Sequence, residues 1–278
     1  MSSLPKKLSK IADFSKCYRK ICDGQKQAMR ISSWNEVLAD WWLGLRFFFD
    51  RAFYQGRRNE LSSRFEQATL QALDEVLGTS ADSRKSALYD LYDGQFLGKA
   101  NFSKRENPLA AALQEEYEVD GKKTRTGKEG DNLMVSHVLR FVCEKAPARR
   151  EPLNLVGYIK HGIENNNVRG VAQELDAIYQ VGKKIHSLLI RDVVDLFALS
   201  DSLRPQDFKY VQAVDTWVEQ LANKLGFQGS KKQLAENLAE ACRRYAVDPV
   251  AFNQGAWYLA SKSFDVLLDN IEKIEPPR

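Results

Sequence analysis

Lys184 is the side chain in this sequence best placed to act as a nucleophile. It stands in "AIYQVGKKIHSLLIRD", Ala177 to Asp192, where a turn-like QVGKK joins two stretches of helical spacing. The N–H groups of a first helical turn have no intrahelical partner and bind anions such as phosphate. A lysine at that end sits in the positive end of the helix dipole, here beside Lys183. Both effects disfavour the ammonium form. A neutral amine is what attack on an electrophilic carbon requires. Gly182 is expected to let the turn take positive φ and to let another backbone approach. Taken alone, V-G-K-K fits a plain turn between two packed helices better.

The elements that must hold this lysine read as helices. Ile185, Leu188, Leu189, Val193 and Leu196 form one apolar stripe after the turn, with Arg191 and Asp195 near its edge as an i,i+4 surface pair. Three- and four-residue apolar spacing recurs through the chain, and alternating β-branched runs are absent. Trp34 to Leu77 reads as helix broken near "YQGRRN". Asn107 and Pro108 supply an N-cap and a first helical position. "FKYVQAVDTWVEQLANKLG" and "VAFNQGAWYLASKSFDVLLDNI" read as the last helical regions. "DGKKTRTGKEGDN", Asp120 to Asn132, reads as a polar loop whose Lys122, Lys123, Arg125 and Lys128 either stay solvated or lie along a nucleic-acid backbone. The expected fold class is all-α, with about ten helices or more.

Composition narrows the classes. The chain has 278 residues, 44% hydrophobic and 28% charged, which is ordinary for a globular protein with a real core. Forty-one basic against 37 acidic residues leave +4, too little to demand a polyanionic partner unless the charge is clustered. Cys17, Cys22, Cys143 and Cys242 form no CxxC pair, so reduced, buried thiols are expected. His137, His161 and His186 lack ligand spacing, and no metal is expected. "MSSLPKKLSK" has no apolar core of a secretory signal. "WWLGLRFFF" is broken by Arg46 and too short to span a membrane. The expected place is the cytoplasm, with the nucleoid if the source is prokaryotic.

Lys184 gains meaning from "QAVDTWVEQLANKLG", Gln212 to Gly226. Val181, Gly182 and Lys184, with Leu175 and Ile178 ahead of them, and then Val214, Asp215, Thr216 and Val218, resemble the helix-hairpin-helix DNA glycosylases. That superfamily includes the endonuclease III-like enzymes and the 8-oxoguanine glycosylases. The spacing of 31 positions from Lys184 to Asp215 is most similar to the archaeal 8-oxoguanine branch. "FNQGAWYLA", Phe252 to Ala260, looks like the closing helix of certain of those enzymes. The likeness in order covers roughly Val156 to Ala260. Gln180 stands where the first hairpin glycine is usual, His186 where alanine is, and Trp217 where histidine is. The four-cysteine cluster signature is absent.

The resemblance implies two helical lobes with the active site in the cleft between them. One lobe is residues 51–207, with the hairpin at about 171–197; residues 1–50 and 208–278 form the other. It implies a monomer acting on double-stranded DNA that carries a modified base, with base excision and repair as its work. Asp215 would stabilise the positive charge that grows on the sugar carbon as the base leaves. Lys184 would either attack that carbon and form an imine, adding lyase to hydrolase chemistry, or contact a phosphate with no covalent role while Asp215 alone activates water. Asp192 and Asp195 share a helix with Lys184 and lie roughly 12 and 16 Å along its axis at about 1.5 Å per residue, too far to converge with it. Val181, Gly182 and Lys183 would grip the DNA backbone. Base flipping leaves a gap in the duplex, which Gln55 would fill while Arg57 or Arg58 holds the opposite strand. Phe252 and Trp257 would stack on the base and Gln254 would read its edge. No cofactor is expected; a monovalent cation at the hairpin carbonyls is implied by the family alone. Two other classes fit the residues: a helix-hairpin-helix DNA-binding protein without catalysis, and a helical protein-interaction module.

Overall fold

A computed structural model describes residues 3–53, 59–102, 106–148, 150–260, 270, 271, 273 and 276. The protein is all-α. In chain order the helices are α1 (Leu4–Asp13), α2 (Ser15–Ala28), α3 (Asn35–Ala39), α4 (Trp41–Ala52), α5 (Asn59–Leu77), α6 (Ala81–Asp93), α7 (Lys99–Phe102) and α8 (Pro108–Ala112). Two short strands follow, β1 (Glu116–Val119) and β2 (Lys122–Arg125). Then come α9 (Glu129–Glu144), α10 (Leu155–Glu164), α11 (Val168–Asp176) and α12 (Lys183–Leu196). Two 3₁₀ turns, Ser200–Ser202 and Pro205–Val211, lead to α13 (Thr216–Lys224), α14 (Lys231–Arg244) and α15 (Pro249–Ala260). Among the described residues no helix is long and apolar enough to cross a membrane.

The chain forms two compact units. The first takes Met1–Trp34, Ile159–Ala172 and Lys183–Arg278; the second takes Asn35–Tyr158 and Gln173–Gly182. This grouping puts α12 in the first unit and α4 in the second, whereas a boundary at 51 and 207 would do the reverse. In the first unit α15 is the hub, packed on α1, α2, α12, α13 and α14. Its Phe252 and Ala256 join Leu8 and Ile11 of α1, Val218 and Leu221 of α13, and Leu234 and Leu238 of α14 in one apolar cluster. Gly255 permits the close approach of α1, since a Cβ there would lie 1.8 Å from the Ile11 carbonyl oxygen. In the second unit α5 packs on α4, α6, α8 and both strands.

Asn107 caps α8 as expected, its Oδ1 accepting the Ala110 N–H at 3.1 Å. Four readings need correction. The expected polar loop, Asp120 to Asn132, holds the turn and second strand of an antiparallel hairpin that starts at Glu116, turned at Asp120 (φ 53°) and Gly121 (φ 70°). Aspartate–glycine favours that two-residue turn, and Tyr117, Val119 and Thr124 supply a buried face. On the outer face Glu116 lies opposite Arg125 and Glu118 opposite Lys123, so the basic residues there are matched by acids. Phe208 to Gly226 is not one helix, because the 3₁₀ turn ends at Val211 and Gln212 to Asp215 are non-helical before α13. α14 lies outside the expected helical regions, although Ser230 and Gln233 form a capping box at its start. Finally, α12 is buried on every side from Ile185 to Val194 rather than along one stripe.

Candidate active site

Lys184 occupies the first turn of α12 and is half-buried. Its Nζ lies over the indole of Trp257, 5.3 Å from the ring centroid. The Trp257 Nε1–H donates to the carbonyl oxygen of Ala213 at 3.0 Å. Ala213 is two residues ahead of Asp215 in the non-helical segment before α13. One indole therefore meets the lysine and holds the segment that carries the aspartate.

Asp215 is the N-cap of α13. Its φ of −96° and ψ of −170° keep it outside the helix. Its Oδ1 accepts the N–H groups of Trp217 at 3.0 Å and Val218 at 2.9 Å. Both bonds end on Oδ1, so Oδ2 takes no part in the cap. The cap fixes the carboxylate on a rigid element, which is what a charge-stabilising group needs. Trp217 beside it is 49% exposed.

Behind Trp257 lies a polar network that the sequence reading missed. Arg191 has no exposed surface. Its Nε donates to Asp192 Oδ1 at 2.8 Å, and its Nη1 donates to Asn253 Oδ1 at 2.9 Å. Its guanidinium carbon lies 4.4 Å from the Tyr18 ring centroid and 5.9 Å from that of Trp257. The Tyr18 hydroxyl donates to Asp192 Oδ2 at 2.8 Å. Asn253 Nδ2 reaches Gln212 Oε1 at 3.4 Å and the Ala213 carbonyl at 3.5 Å. Burial opposes the charge on Arg191, but Asp192 and Tyr18 more than offset it and raise its proton affinity. The expected surface pair of Arg191 with Asp195 is thus replaced by a buried one. Asp195 instead accepts Arg19 Nη2 at 2.5 Å and Gln254 Nε2 at 2.9 Å. A signal was present in the sequence, since Arg191 and Asp192 interrupt the apolar run from Leu188 to Val194.

The remaining candidates fall elsewhere. Phe252 has 0% exposure inside the apolar cluster, where its ring is already covered. Gln254 is buried against Asp195, which lies roughly 16 Å along α12 from Lys184 at the helical rise. Only Trp257 of the three expected pocket residues meets the lysine. Val181 is buried in the turn, while Gly182 and Lys183 are exposed. Gln55, Arg57 and Arg58 lie outside the described residues.

The turn itself departs from expectation. The left-handed residue is Gln180, with φ 62°, and not Gly182. A left-handed backbone is one that glycine takes more readily than a residue with a side chain. Its side chain lies so close to Gly130 that a Cβ there would be 1.8 Å from Gln180 Nε2. A Cβ on Gly182 would meet no atom within 4 Å. Tyr179 in the same turn donates its N–H to His137 Nδ1 at 3.2 Å. All four cysteines are buried, and burial pushes the Cys143 thiol up to about 12. No family model, curated protein or solved structure matches the chain.

Proposed function

We propose that the protein is a DNA glycosylase that flips a modified base from double-stranded DNA and excises it, with an oxidised purine such as 8-oxoguanine as the first substrate to try. The observation that carries this reading is the placement of Lys184 and the Asp215 segment on one indole, Trp257. Asp215 holds negative charge beside the sugar as the bond from C1′ to the base breaks and the base takes a proton. The neutral Lys184 amine forms a bond to C1′ and loses a proton, and opening of the sugar ring leaves an iminium. Loss of a C2′ proton then breaks the C3′–O bond of the strand. Trp257 offers an aromatic face for the flipped base. Open space beside Gly182, at the start of α12, suits a phosphate. The protein would act wherever the cell keeps its DNA.

Borohydride trapping on duplexes with a panel of modified bases tests the reading. The parent is expected to form a reduced covalent adduct on at least one duplex, and Lys184→Ala to form none. Adduct at the parent level in Lys184→Ala would remove the nucleophile assignment. Duplex binding should weaken steeply with added salt, and salt-insensitive binding would count against any phosphate grip. The reading of a DNA-binding protein without catalysis draws on one observation, that capping α13 already employs Asp215. Excision by the parent decides between the two.

A further inference from the structure

We infer that Arg191, through its ion pair with Asp192, is a positioning residue that sets Trp257 and the Ala213–Asp215 segment against Lys184. The chemical consequence of this inference rests on the glycosylase reading; the structural one does not. A guanidinium with no exposed surface is costly to bury, and replacing such a pair by neutral side chains is often neutral or stabilising. Stability therefore gives a poor account of the pair. Its contacts converge on the candidate site. The Arg191 guanidinium lies over the ring of Tyr18 and within 5.9 Å of the Trp257 ring centroid. Its Nη1 holds Asn253, whose amide reaches Gln212 and Ala213. Trp257 holds the same Ala213 carbonyl and carries Lys184 on its ring. Arg191 and Lys184 lie on one rigid helix, roughly 10 Å apart along its axis. The helix thus meets one indole at two points, and that indole and Asn253 both grip the segment that ends in Asp215. Tyr18 completes the arrangement by holding Asp192 from α2 at 2.8 Å.

The test is the double variant Arg191→Met with Asp192→Asn. It removes both charges together and keeps an acceptor for the Tyr18 hydroxyl. Three measurements are made on the full chain: thermal unfolding, amide hydrogen exchange of peptides covering 183–187 and 212–218, and borohydride trapping on an abasic-site duplex and an 8-oxoguanine duplex. Peptides of α14 serve as the internal reference for exchange. The variant is expected to melt close to the parent and to bind unmodified duplex equally well. Exchange at 212–218 is expected to quicken at least tenfold while α14 is unchanged. Trapping is expected to slow about a hundredfold, the usual consequence of misplacing a reacting group by about 1 Å. Parent-level exchange in a folded variant overturns the inference, whatever the activity. If the parent traps on neither duplex, the covalent role of Lys184 on these substrates falls and exchange alone decides the positioning role. Should the double variant fail to fold, Arg191→Lys carries the same measurements. Lysine keeps a charge for Asp192 but loses the bond to Asn253 and the planar stack, so the same pattern is expected.

Discussion

Replacing Asp215 by asparagine separates its two roles. As a cap, Asp215 offers Oδ1 to the N–H groups of Trp217 and Val218. Asparagine caps about as well as aspartate, so Asp215→Asn forfeits only the interaction of the charge with the helix dipole, about 0.3–1 kcal/mol. Asp215→Ala forfeits the cap itself, at about 0.5–2 kcal/mol. The charge is worth more to the reaction. At an effective dielectric constant near 20, unit charges about 4 Å apart attract by about 4 kcal/mol. If that attraction is made only as the sugar becomes positive, losing it slows excision about a thousandfold. The assay is single-turnover release of the base, with protein in excess over a modified duplex, beside urea unfolding of each variant. Asp215→Asn should unfold near the parent and be about a thousandfold slower. Asp215→Ala should be equally slow and also less stable. Excision by Asp215→Asn within tenfold of the parent would refute the electrostatic role and leave Asp215 as a cap.

Two further outcomes concern the turn before α12. His137 accepts the Tyr179 N–H on Nδ1, and burial first, then Arg140 and Lys99, hold its proton affinity below the usual value. The unfolded chain then binds more protons below about pH 6.5, so this stabilisation is complete above that pH and is lost as the pH falls through the folded value. Urea midpoints at pH 7.5 and 5.5 should fall further for the parent than for His137→Gln, which keeps an acceptor without titrating; equal falls would remove His137 as the cause. Gly130→Ala should be close to neutral in the parent, within about 0.5 kcal/mol, because the gain in helix propensity is offset by turning aside the exposed end of the Gln180 side chain that its Cβ would meet. In a Gln180→Gly background the same change should stabilise by about 0.5–1 kcal/mol through helix propensity. Equal effects in both backgrounds would show that the two positions are not coupled.

Some of the protein was legible in the sequence because the cause is local. Periodic apolar spacing specifies helices wherever their faces are buried, and Asn107–Pro108 marks the start of α8 through atoms within a few residues. Asp120–Gly121 was equally local, and its hairpin could have been read from the turn chemistry and the alternation of Tyr117 with Val119. The order of Lys184 and Asp215 in the chain was available as a motif, but the contacts of Trp257 with Lys184 and with the Ala213 carbonyl were not. Trp257 reached the candidate set as one aromatic among several, and nothing near it in the chain distinguishes it from Phe252, which the core absorbs.

The sequence by itself determined an all-α chain and a lysine at a helix start; that Asp215 caps α13 came from the structure. Tertiary structure decided what surrounds them. Arg191 reads as a surface partner of Asp195 by helical spacing, yet it is buried with Asp192, Tyr18 and Asn253. Tyr18 and Asp192 are separated by 174 positions, and Arg191 and Asn253 by 62. Helical spacing governs contacts within a few residues, where the backbone sets the geometry. A contact across such distances exists only when whole helices pack, and packing depends on the shape and polarity of every face at once.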